Sequence, residues 1–495
     1  MGKSVSGILE DSARGGPVPL YREIPARGID PSRAFARIAP SASAFLLESG
    51  EEKENGKRGR SIIGWDPFLI VSVYGDRIEI REGSETRKVQ GVVDPLEVIR
   101  GLTARFQATI SSCDPPFQGG LVGYVNYDLA RKWEKLPGLR PWQGGGPECI
   151  FMACRKVLVF DHEKDKISAL VFPFSGVERD GKSGLTEQME EVEQVLLGPD
   201  PEKEAEEHSL RVSATELKPE ISREKFYEMV RLAKEYIVSG DIIQVVLSVR
   251  FSGRVKGDDF LIYRALSDLN PSPYMFYLRF GTLRLIGASP EMLVQARGGH
   301  IRVRPIAGTR PRGSTPGEDL RLEEELLADP KERAEHVMLV DLGRNDVGRI
   351  SEGGSVRVSP FMKVERYSHV MHIVSGVEGR LRSGKDSLEA FKACFPAGTV
   401  TGAPKIRAME IISELESSSR GPYAGAVGYF GFDGDMDFCI SIRTMVVDRE
   451  KLLVQAGAGI VYDSVPEREY QECLNKAAAL FKAVERVNDH DFPDR

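Results

Sequence analysis

Strand-forming and helix-forming stretches are segregated along this chain, and that separation limits its fold more than any other feature. Apolar, β-branched runs dominate residues 18–175, with AFLLES at 44–49, IIGWDPFLIVSVYG at 62–75, RIEIRE at 77–82 and CRKVLVFD at 154–161. Further strand-rich stretches cover 274–306 and 424–459, while helical periodicity marks 317–343, 385–394, 403–416 and 464–487. The regular strand–helix alternation of a doubly wound sheet is missing, so the expected class is α+β, not Rossmann-like α/β. Residues 176–221 turn charged and Pro/Gly-punctuated, which reads as a solvated helix and a linker. The expected division is an N-terminal region at 18–215 and a second domain at 220–487. Past the linker, Ser222 is placed to cap a helix over 223–239, Gly240 to end it, and IIQVVLSVRF at 242–251 to run as a buried strand.

Composition excludes several function classes. A net charge of −7 with both signs interspersed offers no basic surface for nucleic acid. No apolar run is long enough to span a bilayer and Met1–Gly50 lacks a signal-peptide pattern, so a cytoplasmic protein with no membrane role is expected. The 6 cysteines, at 113, 149, 154, 394, 439 and 473, lack metal or disulfide spacing and read as reduced core thiols. A small-molecule substrate fits this balance.

Several motifs carry chemistry. In DPKERAEHVMLVDLGRND, Asp329 and Pro330 start a helix that places Glu335 about one turn in, beside His336. In DSVPEREYQECLNKAAALFKAV, Ser464 and Glu467 form a capping box, and Glu469, Glu472 and Lys476 share one helix face opposite Leu474, Ala477, Ala478 and Phe481. Solvated helix carboxylates have the same spacing, yet carboxylates from two helices plus water also suit Mg²⁺. PIAGTRPRG at 305–313 places Gly308 and Thr309 where an amide and a hydroxyl can meet an anion, with Arg302, Arg304, Arg310 and Arg312 nearby. CFPAGTVTGAPKIRAMEII at 394–412 leads a Gly/Thr-rich loop into a helix N-terminus, an anion-friendly end that lacks the P-loop spacing. AGAGIVYDS at 456–464 permits close backbone approach at Gly457 and Gly459 but fails as a dinucleotide fingerprint. His369 and His372 stand three apart with no adjacent glutamate, which is weak evidence for zinc. The residues alone reach an anion-binding enzyme whose helix carboxylates suit Mg²⁺.

Taken in order, IIQVVLSVRF, NPSPYMFYL, GASPE, PIAGTRPRG, EHVMLVDLGRND, YSHVMHIVSGVEG, FPAGTVTGAPKIRAMEII, GPYAGAVGYFGFDGDMDFCISIRT and QAGAGIVYDSVPEREYQECLNKA resemble the chorismate-binding enzyme family. The match is tightest over 220–485, and GGLVGYVNYDLAR at 119–131 is its best segment in the first 200 residues. The resemblance implies two β-sheets packed together with helices outside. Isochorismate- and salicylate-forming members carry a water-activating lysine where this chain has Gln244. Aminodeoxychorismate synthases commonly carry a nucleophilic lysine where it has Ala307. Glutamine cannot act as that base and alanine has no nucleophile. The pair Gln244 and Ala307 resembles the anthranilate synthases, which use ammonia; the aminodeoxychorismate synthase large subunit and a non-catalytic tryptophan-binding regulator are the alternatives.

By that resemblance, Glu335 and Glu472 hold Mg²⁺ against the ring carboxylate of chorismate, and Gly308, Thr309, Tyr423, Arg443, Gly457, Ala458, Gly459 and Lys476 contact the substrate. Arg443 suits the enolpyruvyl carboxylate because its planar fork bonds both oxygens. Glu291 in GASPE takes the place of the general acid for the departing C4 hydroxyl, a role that needs a raised pKa. His372 takes the place of the catalytic histidine, serving carboxylate binding or the later loss of pyruvate. Ser49, in LLES, with Pro273, Tyr274 and Met275, resembles the feedback site for L-tryptophan. Ammonia is expected from a separate glutamine amidotransferase subunit, component II of such enzymes, because no glutamine-hydrolysing motif occurs in the chain.

Overall fold

Two long strands, Arg60–Tyr74 and Cys149–Asp161, organise the chain. They pair antiparallel along their length, with one irregularity between Pro67 and Leu69. Each changes its outer neighbour halfway: residues 61–65 pair with Ser43–Glu48, whereas 69–74 pair with Arg77–Glu82. The pair therefore belongs to two sheets that diverge at the irregularity, a bend of the kind a bulge produces. The computed structural model describes residues 19–26, 28–38, 42–50, 59–107, 117–136, 140–142, 144–173, 182–197, 212–367 and 370–488.

The first sheet continues from Ser43–Glu48 through Tyr274–Phe280, Leu283–Ser289, Thr444–Asp448 and Lys451–Ile460 to Gln244–Gly257, all antiparallel. The second continues from Cys149–Asp161 through Gly120–Val125, Ala426–Gly431, Met436–Ile440 and Met292–Arg297 to His300–Val303. Strands from 18–215 and from 220–487 thus lie side by side in both sheets. Alternation along Tyr274–Phe280 decides which face goes where. Phe276, Leu278 and Phe280 enter the core between the sheets, and Met275 and Tyr277 enter a second core under the helices. Glycine makes room for two of the aromatics: an added Cβ at Gly287 would lie 2.2 Å from Phe276, its cross-strand partner, and one at Gly64 2.3 Å from Phe45. Truncating Phe276 to alanine there is expected to cost about 3–5 kcal/mol.

Helices Arg223–Val238, Phe260–Leu269, Lys405–Leu415 and Pro466–Asn488 cover the outer face of the first sheet. The α+β class with two packed sheets and outer helices is as expected. Ser222 accepts from Lys225 N, and Gly240 takes φ +83 after the helix. The stretch 317–343 is two helices, Pro316–Ala328 and Pro330–Gly348, because Asp329 closes the first and its carboxylate caps the second. The Ser464–Glu467 capping box does not form: Ser464 Oγ accepts from Val461 N. On the last helix Tyr470, Cys473, Ala477 and Leu480 are buried, while Leu474, Ala478 and Phe481 flank them half-buried. The strand-dominated reading of 18–175 passed over the helix Pro95–Gln107, whose Leu96, Ile99, Leu102 and Phe106 recur at helical spacing and are buried. The cysteines at 149, 154, 394, 439 and 473 are free, buried thiols, and Cys113 lies outside the described residues.

A separate three-stranded sheet of Ile306–Pro311, Val370–Val374 and Lys363–Arg366 stands beside the main pair. Its small core is Leu326, Val364, Met371 and Ile373.

Candidate active site

Three structural units converge on one site: the small sheet, the end of the first main sheet, and the helices Pro330–Gly348 and Pro466–Asn488. On the small sheet a register shift between Ala307 and Thr309 frees Gly308, which takes φ +69, a conformation glycine adopts without strain. Thr309 faces His372 across the pair, with Thr309 Oγ1 3.0 Å and the Gly308 carbonyl 3.1 Å from Nδ1. A carbonyl only accepts, so it selects the Nδ1–H tautomer and leaves the Nε2 lone pair available. Burial pushes the His372 pKa below its usual value, so the ring is neutral at pH 7. His369 lies outside the described residues, and among the described residues nothing pairs His372 into a metal site.

The main sheet supplies Glu291, Arg443, Gly457 and Gly459. Burial pushes the Glu291 carboxyl up to about 7, with Thr399, Lys476 and Arg443 opposing that rise without cancelling it. Arg443 has positive φ, is half-buried, and forms no ion pair among the described residues; desolvation lowers its pKa and the nearby Glu291 raises it. A half-buried guanidinium with no ion-pair partner suits an anion. Gly457 and Gly459 lie on one face of Lys451–Ile460. A Cβ at 457 would stand 2.6 Å from the Tyr423 hydroxyl, and one at 459 2.4 Å from Gln244 Nε2. Ala458 faces the other way, into the core under the helices, so only its backbone can reach the site.

From the last helix, Lys476 Nζ donates to the Gly457 carbonyl at 3.1 Å and pairs with Glu472 at 2.7 Å. Glu335, on the other helix, has a raised pKa, first from burial, then from Glu332, with Glu472 adding to it and Lys476 opposing. Glu469 is raised by burial and also senses Glu472. Glu332 and Glu469 therefore join the expected pair at this edge, and the sequence offered only their helical spacing as a signal. No group of three His, Cys, Asp or Glu among the described residues closes a metal site. Two facing carboxylates that leave the remaining positions to water and substrate oxygens do fit Mg²⁺. His336 turns away: it is fully buried, lies 2.6 Å from Ser375 Oγ, and burial pushes its pKa down to about 4.

Two polar atoms at the site, Gln244 Oε1 and Thr399 Oγ1, are buried without a geometrically sound hydrogen-bond partner. Thr399 was not singled out in the sequence, although its loop was. A cavity of about 40 Å³ lies beside Glu291, lined by Thr399, Gly398, Leu339, Leu342 and Asp346, enough for a water molecule. The arginines near PIAGTRPRG are engaged elsewhere: Arg310 with Glu325, Asp329 and Glu332, Arg312 with Asp319, Arg304 with Glu365, and Arg302 with Glu378. Lys405, at the start of the anion-friendly helix, pairs with Asp346 at 2.7 Å.

A second, larger cavity of about 350 Å³ contains Ser49, Pro273, Tyr274 and Met275 together with Glu48. Its inner wall is Asp437, which accepts from Tyr274, Gln295 and Arg297. Asp437 carried no sequence signal, because its role depends on strands that meet only in the fold.

Residues 43–482 match the family described as chorismate binding enzyme. The chain belongs to this family. Among its members, the chain is 48% identical to "Anthranilate synthase component 1" of Acetivibrio thermocellus, covering 95% of this chain and 96% of that one. It is 47% identical to the protein of the same name from Thermus thermophilus, over 92% and 95% of the two chains. The crystal structure of anthranilate synthase component I from Streptococcus pneumoniae superposes with a TM-score of 0.76 at 40% identity, covering 86% of this chain and 92% of that one. The menaquinone-specific isochorismate synthase of Escherichia coli shares the fold at a TM-score of 0.70 and 20% identity, over 97% and 98% of the chains. The chorismate-binding family and its anthranilate synthase component 1 branch are therefore where this chain sits. No helix among the described residues is long and apolar enough to cross a membrane.

Proposed function

We propose that this chain is the large subunit of an anthranilate synthase, converting chorismate and ammonia to anthranilate, pyruvate and water. The observation that carries the reading is Arg443, a half-buried guanidinium in no ion pair among the described residues, next to Glu291, a carboxyl held protonated to about pH 7. Chorismate needs both, one for its enolpyruvyl carboxylate and one for its departing hydroxyl. Glu291 donates its proton as the C4–O bond breaks, so the hydroxyl leaves as water into space next to Thr399. Ammonia takes the place a water nucleophile would need a lysine for: Gln244 offers a buried carbonyl oxygen with no partner, an acceptor for an N–H donor. Its lone pair forms the new ring C–N bond. Nε2 of His372 then takes the ring proton while the enolpyruvyl ring C–O bond breaks, and the departing enolpyruvate gains a proton at its methylene carbon to leave as pyruvate.

Glu335 and Glu472 would hold Mg²⁺. Bound there, the ion supplies Lewis-acid polarisation of the ring carboxylate. Lys476 ties Glu472 to the Gly457 backbone and so keeps the metal-side helix in register with the substrate strand. The cavity of Ser49, Pro273, Tyr274 and Met275 is proposed as the tryptophan effector site, with the carboxylates of Glu48 and Asp437 in its lining to favour an ammonium group. A glutamine amidotransferase subunit is the proposed source of ammonia, a partner implied by the component 1 naming of the relatives. The test is turnover by the purified chain alone: ammonium salt should support chorismate consumption and glutamine should not until that partner is added. Turnover with glutamine alone would overturn the two-subunit reading.

A further inference from the structure

A fully buried ion pair lies behind the candidate site and touches none of the residues assigned to chemistry or metal. Arg420 is 2% exposed and bonds Glu416 through Nε at 2.9 Å and Nη2 at 2.7 Å. Its remaining donors are directed at backbone: Nη1 to Val400 O at 2.8 Å and Nη2 to Val246 O at 2.7 Å. Its guanidinium lies between two aromatic rings, 4.7 Å from Tyr127 and 5.6 Å from Tyr423. Three of these partners lead to the site. Val400 follows Thr399, beside Glu291. Val246 pairs directly with Gly459. Tyr423 presents its hydroxyl to Gly457.

Glu416 is held in turn. Its Oε1 accepts from Ser248 N at 2.9 Å and Ser248 Oγ at 2.7 Å, and Ser248 is the strand partner of Gly457. Asp128, in the GGLVGYVNYDLAR segment, accepts from the backbone amides of Arg420 and Gly421 at 3.2 and 2.6 Å. A buried ion pair by itself adds little net stability against an apolar replacement, because both charges must be desolvated. What this one does that an apolar pair could not is fix two separate backbone segments and two rings at a single planar fork.

We propose that Arg420, clamped by Glu416, is the positioning residue that sets the floor of the substrate site, holding Tyr423 by its ring face and the 398–401 loop by its Val400 carbonyl without touching substrate. The inference rests on the proposed function only in taking Tyr423 and the 457–459 backbone as substrate contacts. Arg420→Lys keeps the charge but replaces the fork with a single ammonium, which cannot reach Glu416, Val400 and Val246 together or stack between the rings.

The experiment compares wild type, Arg420→Lys, Tyr423→Phe and the double variant, each as the full chain with Mg²⁺ and ammonium, by thermal midpoint and chorismate saturation. Arg420→Lys is expected to fold and to lose about 30-fold in kcat/KM, mostly in KM, and Tyr423→Phe about tenfold. The double variant should be no worse than Arg420→Lys, because both changes act through the same ring. Losses that multiply in the double variant, or a folded Arg420→Lys with unchanged kcat/KM, would overturn the proposal. If Arg420→Lys does not fold, Ser248→Ala is compared with Gln455→Leu, since the Ser248 hydroxyl donates to Glu416 and also accepts from Gln455 Nε2 at 2.8 Å: a KM rise of about threefold in Ser248→Ala beyond that of Gln455→Leu supports the proposal and an equal or unchanged KM refutes it. A wild-type chain that leaves chorismate untouched would instead sink the functional reading, and this inference with it.

Discussion

Thr309 and His372 stand opposite each other on neighbouring strands, 3.0 Å from Oγ1 to Nδ1, and the Gly308 carbonyl completes the grip on the same nitrogen. The ring is fixed at one nitrogen and free at the other. If Nε2 is the base for pyruvate loss, His372→Asn should slow formation of the aromatic product by about 10²-fold or more while chorismate consumption falls less. Chromatography of the reaction should then show an amino-substituted, still enolpyruvylated intermediate. Equal loss of both rates would assign His372 to substrate binding.

Glu291 makes a pH prediction with a definite sign. Its pKa is raised to about 7, and the acid form does the work, so kcat/KM should fall on the alkaline side, about tenfold per unit above that value. The stability linkage runs the same way: a raised pKa favours folding while the group is protonated, and that contribution is lost as pH rises through about 7. Glu291→Gln should therefore lose about 10²–10⁴ in kcat. It should also be more stable than wild type at pH 8, by about 1–3 kcal/mol, in denaturant titrations.

The metal reading predicts opposite signs for activity and stability. In Glu335→Gln and Glu472→Gln, Mg²⁺ should no longer raise the thermal midpoint, and turnover should be lost. In the absence of Mg²⁺, Glu335→Gln should match or exceed wild-type stability, since it removes a half-buried carboxylate beside Glu332 and Glu472. Differential scanning fluorimetry with a Mg²⁺ titration reads both.

At Gly457 even a methyl group is excluded, because its Cβ would lie 2.6 Å from the Tyr423 hydroxyl and 2.8 Å from the Leu247 carbonyl. Gly457→Ala is expected to lose about 10²-fold in kcat/KM through displacement of substrate-facing backbone by a fraction of an ångström. Steady-state kinetics decides it. The effector cavity tolerates the reverse logic: Ser49→Leu fills part of about 350 Å³ and should weaken tryptophan inhibition by tenfold or more while leaving uninhibited kcat within about twofold.

Much of the site was legible because its residues sit in local patterns that survive without the fold. Gly308, Gly457 and Gly459 mark backbone approach, and Glu335 and Glu472 are carboxylates on helices whose apolar spacing shows in the sequence. Other features depend on long-range pairing. Arg310 and Arg312 looked available in the sequence, yet carboxylates on and between the next two helices fold back to neutralise both, whereas Arg443, one arginine among many, is left unpaired. Ala458 reads as part of the glycine motif, but strand alternation sends its methyl into the core. The division into two sheets was legible only by resemblance, since it arises from two strands that exchange neighbours at an irregularity.

The most direct test of the central claim is the identity of the product formed from chorismate, Mg²⁺ and ammonium salt by the purified chain, read by fluorescence and mass, with and without tryptophan. The account predicts 2-aminobenzoate and pyruvate in equal amounts, suppressed by tryptophan. Formation of 4-amino-4-deoxychorismate or isochorismate would contradict the roles given to Ala307 and Gln244, and tryptophan binding with no consumption of chorismate would contradict the enzyme itself.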